Sequence, residues 1–254
     1  MEVSMPVTLT AKQILTQYNE DSYTAFHAKR YAILLNILTT YISRSHIKVL
    51  DIGKSKLTDL IHSQFNKFEI DVDTLGFDED CVTDTGRHYQ FNLNDCQWKT
   101  KWRTGIPQYD VVVMAEVIEH LYTSPKLILE FLRTIIKPEG VLIIQTPNAL
   151  ALAERIKPIF GIHPYELIRE DFTNPGHYRE YTEDELRSYA KEAGFTVLHS
   201  TIHSYFDYRF VYKNGKKTVP SYVGALANVA YSCLPRGLKP GISIALRNSR
   251  GLII

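Results

Sequence analysis

Between Tyr23 and Ile42 the apolar positions Phe26, Tyr31, Leu34, Leu35, Leu38, Tyr41 and Ile42 recur at steps of three and four, which predicts a helix with one buried stripe. The rhythm then changes. His46–Ile52 reads as a short strand ending at Gly53, Leu57–Phe65 as a helix, and Asp73–Phe77 and Tyr89–Leu93 as further strands. Tyr109–Ala115 (YDVVVMA) is a continuous apolar run, the pattern of a strand covered on both faces. Ser124-Pro125 opens a helix whose buried side is Leu127, Ile128, Phe131, Leu132, Ile135 and Ile136, and Lys137-Pro-Glu-Gly140 stops it before the strand Val141–Thr146. Thr182 and Glu185 form a capping box with Tyr181 and Leu186 as its hydrophobic staple, and Gly194 is placed as the glycine just past the end of that helix. Phe195–Ile202 and Ser243–Arg247 complete seven expected strands.

Strands alternating with helices predict an α/β fold, a doubly wound, mostly parallel sheet with helices on both faces. Residues 1–45 are expected to form an N-terminal helical cover and residues 46–254 the main domain. Two stretches interrupt the alternation. Residues 150–181 are rich in Pro, Gly, His and Tyr, and residues 205–240, between the last two strands, carry Tyr205, Phe206, Tyr208, Phe210 and Tyr212 before KNGKK and an apolar segment. Loops this long in a compact domain usually serve a site, so both are expected on the substrate side. The apolar segment Val219–Leu234, apolar nearly all round, is expected to bury itself as a lid over that site or in a homodimer interface. The aromatics at 205–212 could equally be the covered side of a hairpin turning at Asn214-Gly215.

Composition narrows the function classes. Lys and Arg number 29 against 28 Asp and Glu, a net charge of +1, so no broad basic field points to nucleic acid. The three cysteines form no CxxC pair, which fits a reducing, cytoplasmic setting. Neither an apolar leader nor a run of 18 apolar residues occurs, so no stable membrane insertion is expected. A GxGxxG fingerprint, a Walker loop and a Ser-His-Asp elbow are all missing. HExxH is absent among nine histidines, and Glu116-Val-Ile-Glu-His120 has Glu where an inverted zinc-peptidase motif needs His; no metal is expected.

In a parallel sheet, ligands bind beyond the carboxyl ends of the strands. The segments found there are VLDIG at 49–53, TLGFD at 74–78, NLND at 92–95, YDVVVMAEVIEHL at 109–121 and, after the next strand, TPN at 146–148. In order and spacing they resemble the class I S-adenosylmethionine-dependent methyltransferases of the ubiquinone/polyketide-type, small-molecule branch, and HYREYTEDELRSYAKEAGF at 177–195 is similar to that branch's substrate-side segment. The resemblance covers about residues 46–203 and implies a Rossmann-like fold with an insertion between the sixth and seventh strands. It implies S-adenosyl-L-methionine as cofactor and S-adenosyl-L-homocysteine as product. Gly53 would approach the methionine half with Asp51 and Ser55 beside it, and Asp78 would hold the ribose hydroxyls. Asn94 or Asp95 would meet the adenine amine, while Ala115 and Glu116 would line the wall beside the sulfonium. The family's glycines two and four positions after Gly53 are here Ser55 and Leu57, a departure that asks for a reshaped loop.

The expected reaction is methyl transfer to an oxygen or nitrogen of a small molecule, with a peptide side chain as the alternative acceptor. A non-catalytic cofactor-binding or scaffold protein is the reading the altered glycine loop would favour. His120 follows the fourth strand and could take the acceptor's proton, or could be a structural histidine on a backbone carbonyl. Glu119 is expected to face solvent or a lysine. His163, His177, Tyr178, Arg179 and Tyr181 could touch substrate, Tyr181 being first the helix staple. Lys54 and Lys56 read as solvated loop lysines.

Overall fold

A computed structural model describes residues 9–17, 22–165, 167–171, 175–213 and 216–249. The strands are β1 (Lys48–Ile52), β2 (Asp71–Gly76), β3 (Cys81–Val82), β4 (Arg87–Gln90), β5 (Tyr109–Ala115), β6 (Ile136–Pro147), β7 (Thr196–His203), β8 (Tyr212–Lys213), β9 (Lys216–Lys217) and β10 (Gly241–Arg247). The helices are α1 (Ala11–Gln17), α2 (Ser22–Leu38), α3 (Lys56–Phe65), α4 (Pro125–Ile135), α5 (Leu152–Ile156), α6 (Glu183–Glu192) and α7 (Ser221–Cys233).

Eight strands form one sheet in the order β3-β4-β2-β1-β5-β6-β10-β7. β1, β2, β4, β5 and β6 run parallel. β10 slots antiparallel between β6 and β7, and β3 adds a two-residue antiparallel edge beyond the seven strands expected. Along β5 alternate side chains enter two different cores. Val112 and Met114 meet Ile128, Phe131 and Leu132 of α4, while Val111 and Val113 meet Leu34, Leu35 and Leu38 of α2 and Leu60 and Ile61 of α3. Both faces of the strand are dry, which is why its sequence is apolar without interruption.

Local signals set the helix ends. Ser55 caps α3 by accepting from Leu57 N–H, and Thr58 completes its capping box. Pro125 stands in the first turn of α4, where its missing N–H costs nothing. Thr182 and Glu185 close the predicted box on α6, and Gly194 takes φ +84° just beyond it while Phe195 N–H returns to Ala190 O at 2.9 Å. At the amino ends of the parallel strands, Asn248 bridges Arg133 Nε at 3.0 Å and Ile136 O at 2.8 Å.

The second interruption folds back onto α2. Phe206 stacks on Phe26 with ring centroids 4.8 Å apart, and Tyr208 stacks on Tyr231 of α7 at 4.7 Å. Gly224 lets α7 lie against the chain at Tyr208, where a Cβ would come within 2.3 Å of a carbonyl oxygen. The outer side of α7 is not covered by the described residues: Tyr222, Leu226 and Val229 are 71%, 68% and 61% exposed. The hairpin is short, β8 paired with β9, so of the aromatic series only Tyr212 belongs to it, and its turn Asn214-Gly215 lies outside the described residues. Among the described residues no helix is long and apolar enough to cross a membrane.

Candidate active site

A cavity of about 320 Å³ opens at the carboxyl ends of β1, β2 and β5, within the size range of small-molecule sites. Gly53, Gly76, Phe77, Asn94, Glu116 and His120 are among the residues that line it, with Tyr178 and Pro175 across from them. A larger depression of about 600 Å³, with Lys99, Glu130, Arg133 and Asn248 on its walls, lies at the other end of the strands. It holds none of the expected site residues and sits on the wrong side of a parallel sheet for ligand binding.

Gly53 turns the chain out of β1 with φ +82°, and its N–H donates to Leu75 O at 2.9 Å. Any side chain there would be strained and would press on Val117 Cγ2 at 3.3 Å. Bare backbone therefore faces the cavity. Ser55 and Leu57 need none of that freedom. Ser55 is extended at φ −156°, and Leu57 belongs to α3 and is buried in the core. The departure from the glycine pattern is an early helix start.

Asp51 does not line the cavity. Its carboxylate lies beneath the loop, 1% exposed, and accepts from Thr58 Oγ1 at 2.7 Å. Burial pushes its pKa up to about 7, against the opposing pull of Thr58 and Arg30. Asp78 is exposed just past β2, next to Phe77, and outside the cavity lining. Asn94 is buried, and its Oδ1 accepts from Tyr122 N–H at 2.9 Å and Thr123 N–H at 3.3 Å, pinning the loop after β5. Asp95 turns away to Lys101 at 3.3 Å. Lys56 reaches Thr24 Oγ1 at 3.3 Å.

Ala115 ends β5 against the core on the α2 side. Glu116 follows with φ +56°, an unusual value outside glycine that aims its side chain inward. Its Oε1 accepts from Tyr205 O–H at 2.7 Å and stands 4.0 Å from Arg30 Nη1. Sequence reasoning missed both partners. Arg30 sits on the buried stripe of α2 and Tyr205 in an aromatic series, and neither pattern distinguishes a residue aimed at a strand end.

Glu119 is the clearest correction. Its carboxylate is fully buried rather than solvent-facing, because the short turn Ile118–His120 folds it inward under β6, where Oε2 accepts from Thr146 Oγ1 at 2.9 Å. Burial raises its pKa, and the nearby Glu116 charge adds to the rise. The same turn sends His120 outward, with Nδ1 donating to Gly176 O at 2.8 Å. His177 packs edge-on against it at 4.8 Å between ring centroids and donates Nδ1–H to Glu180 Oε1 at 3.0 Å. Burial works against charge on His177, but the bond to Glu180 and the Glu119 carboxylate outweigh it and hold its pKa above the ordinary value.

Tyr178 and Arg179 both donate backbone N–H to Glu119 O, at 2.8 and 3.3 Å. Tyr178 faces the cavity and meets Tyr122 edge-on. Arg179 points away, paired with Glu185 and lying over the Tyr181 ring. Tyr181 is 2% exposed in the α4/α6 core, as a staple residue should be. His163 binds only its neighbour Tyr165 among the contacts seen for it, outside the cavity.

The family model described as a methyltransferase domain (Methyltransf_23) matches residues 23–200. Two mycobacterial proteins described as probable S-adenosylmethionine-dependent methyltransferases are similar over shorter stretches. The one from Mycolicibacterium smegmatis is 33% identical over 88 residues, 35% of this chain and 29% of its own length. One from Mycobacterium tuberculosis is 36% identical over 87 residues, 34% of this chain and 26% of its own. The matched stretch thus spans under a third of either relative. Among solved structures, a SAM-dependent methyltransferase from Archaeoglobus fulgidus superposes with TM-score 0.52 at 15% identity, covering 93% of this chain and 98% of that one. An S-adenosylmethionine-dependent methyltransferase from Clostridium acetobutylicum gives 0.52 at 9% identity, covering 92% and 95%. At such identities these two show a shared fold.

Proposed function

From the premise that this chain belongs to the methyltransferase-domain family of class I S-adenosylmethionine-dependent enzymes, we propose that it moves a methyl group from that cofactor to an oxygen or nitrogen of a small molecule. The observation that carries the proposal is the convergence of Gly53, Asn94, Glu116, His120 and Tyr178 on one cavity at the carboxyl ends of the strands.

The residues present suit the cofactor. Gly53 and Gly76 offer bare backbone to the cavity, and the apolar walls at Phe77, Leu93 and Leu121 leave few polar groups to compete for it. Gly53 would take the methionine half, Asp78 the ribose hydroxyls, and Asn94, which lines the cavity where Asp95 does not, the adenine side. Bound S-adenosylmethionine supplies a methyl group already activated on a sulfonium, so the protein's work is positioning and proton removal. Glu116, held by Tyr205 and near Arg30, keeps a fixed negative wall at the reacting end. His120 has its Nδ1–H committed to Gly176 O, which makes Nε2 the basic nitrogen of the neutral ring and suits it to receive the acceptor's proton. Tyr178, edge-on to Tyr122, is placed to orient the acceptor. The intact α3 start argues against a decayed scaffold, since Ser55 and Leu57 are explained by capping and core packing. A cytoplasmic enzyme acting without nucleic acid fits the near-neutral charge.

Calorimetric titration with S-adenosylhomocysteine tests the cofactor half. Binding is expected in the wild type, and Asp78→Asn should weaken it by roughly 10–150-fold, the loss of about 1.5–3 kcal/mol of charge-assisted hydrogen bonding. No binding by the folded wild type would overturn the proposal. Labelled methyl groups should then appear in a small-molecule extract; label confined to the protein fraction would assign a peptide acceptor instead.

A further inference from the structure

We propose that α7 is a membrane-docking helix that lays its outer face on an anionic lipid surface. The helix sits on the protein the reverse of the way a surface helix in water does, with its apolar stripe outward. Gly224, Ala227, Asn228 and Tyr231, at the three- and four-residue spacing of one helix face, form the covered side. Asn228 is a polar anchor there. Its Oδ1 accepts from Tyr208 N–H at 3.0 Å, and its Nδ2 donates to Asp207 Oδ1 at 2.7 Å.

The side facing away carries Tyr222, Leu226 and Val229, spaced by four and three, with Val223 beside them and also exposed. Rolling the helix to bury that stripe would break both Asn228 bonds and lift Gly224 off the backbone at Tyr208. The outward apolar face is therefore fixed by the packing beneath it. Among the described residues nothing covers it, and an exposed apolar patch of this kind marks an interaction surface.

Charge selects the occupant. Residues 205–240 hold six Lys and Arg against Asp207 alone, an excess of five positive charges in a chain whose net charge is +1. Arg209 is held by Asp207 and Arg236 by Glu183, so the remaining positive charge is that of Lys213, Lys216, Lys217 and Lys239, which flank α7 in sequence. The helix itself has no charged residue. An interfacial helix binds through buried apolar area plus attraction of nearby basic residues to anionic lipid, and this stretch supplies both. A second copy of the chain would instead bring the same positive stretch against itself, where like charges repel.

The helix would lie on the bilayer rather than cross it. Its 13 residues span about 20 Å, short of the roughly 30 Å of hydrocarbon in a membrane. α7 contributes no residue to the cavity lining. The insertion that carries it is nevertheless tied to the cavity wall, because Tyr205 at its start donates to Glu116. Docking would thus hold the cavity close to the lipid surface. The consequence for the acceptor rests on the methyltransferase reading: it would be an amphiphile drawn from the lipid side.

The test is flotation of the full chain with vesicles of phosphatidylcholine alone and of phosphatidylcholine mixed with phosphatidylglycerol, alongside titration with S-adenosylhomocysteine. Binding to the mixed vesicles is expected to be stronger by roughly tenfold or more and to fall as salt rises. Leu226→Ala combined with Val229→Ala should weaken it by roughly tenfold or more, and Lys213→Gln with Lys216→Gln and Lys217→Gln by roughly 100-fold. Both variants should keep the wild-type Tm and S-adenosylhomocysteine affinity. No flotation of the folded wild type with the mixed vesicles, or equal flotation by the folded Leu226→Ala/Val229→Ala variant, overturns the proposal. A wild-type dimer that this variant turns into a monomer overturns it in favour of a second copy. Flotation without S-adenosylhomocysteine binding supports the docking surface and overturns the methyltransferase reading.

Discussion

Adding one methyl group at Gly241 should damage this protein far beyond the size of the change. A Cβ there would stand 1.7 Å from Tyr205 Cε1 and 2.1 Å from Cδ1 and Cζ, whereas non-bonded carbons rest about 3.5–4.0 Å apart. The ring would have to retreat by roughly 2 Å. It has nowhere to go: Tyr205 is fully buried, lies edge-on against Phe206 at 4.6 Å, and is tethered through its hydroxyl to Glu116. Nor can Gly241 yield easily, because β10 is paired on both sides, to Pro147 and His203. Overpacking of this kind costs about 1–3 kcal/mol or more, and breaking a hydrogen bond to a carboxylate adds about 1.5–3. Gly241→Ala is therefore expected to lose about 3–6 kcal/mol, or about 6–24 °C in Tm.

A double-mutant cycle with Tyr205→Ala isolates the cause. Removing the buried ring alone should cost about 3–5 kcal/mol. With the ring gone, Gly241→Ala should add almost nothing, giving a coupling of about 3–6 kcal/mol in urea unfolding followed by circular dichroism. Additive losses would refute the packing argument.

Two further expectations concern the loop after β1. Asp51 rises from 3.8 to about 7 on folding, which corresponds to about 4 kcal/mol of preference for its protonated form. That contribution is full below the ordinary carboxylate range and is lost as pH climbs through about 7. Asp51→Asn should flatten the decline in urea midpoint between pH 5 and pH 8, and an unchanged slope would count against the assignment. Restoring family-like glycines should separate the two positions: Ser55→Gly should cost only a few tenths of a kcal/mol, while Leu57→Gly should cost about 3–5 by emptying a core position, read from thermal unfolding.

The fold was legible wherever a local pattern is itself the cause. Unbroken apolarity in Tyr109–Ala115 reflects two dry faces, and Thr182 with Glu185 and Gly194 mark the ends of α6 through their own hydrogen bonds and backbone angle. The third predicted strand, Tyr89–Leu93, is displaced to Arg87–Gln90 because Phe91 and Leu93 are apolar for a different reason, as walls of the core and cavity. β3 escaped notice since both of its residues are exposed and leave no pattern. Within the site, residues adjacent to strand ends could be found by position. Tyr205, Arg30 and the inward turn of Glu119 could not, because each depends on which distant backbone lies opposite. The apolar outer face of α7 shows the limit of composition: its sequence calls for cover, and the described residues cover only the side at Tyr208.

The place of β10 also sets an order of events during synthesis. Among the described residues β7 pairs only with β10, and β6 pairs with β10 along Val141–Pro147. Roughly forty residues separate the end of β7 from the start of β10. At about 5–20 residues per second, β7 would wait some 2–8 seconds after emerging before its partner could follow. Through that interval β6, apolar and complete, presents an open edge of unpaired amides and carbonyls, the surface on which nascent chains join one another. A ribosome that slows between codons 204 and 240 would lengthen the exposure, so yield of soluble protein should depend on codon choice in that stretch more than elsewhere.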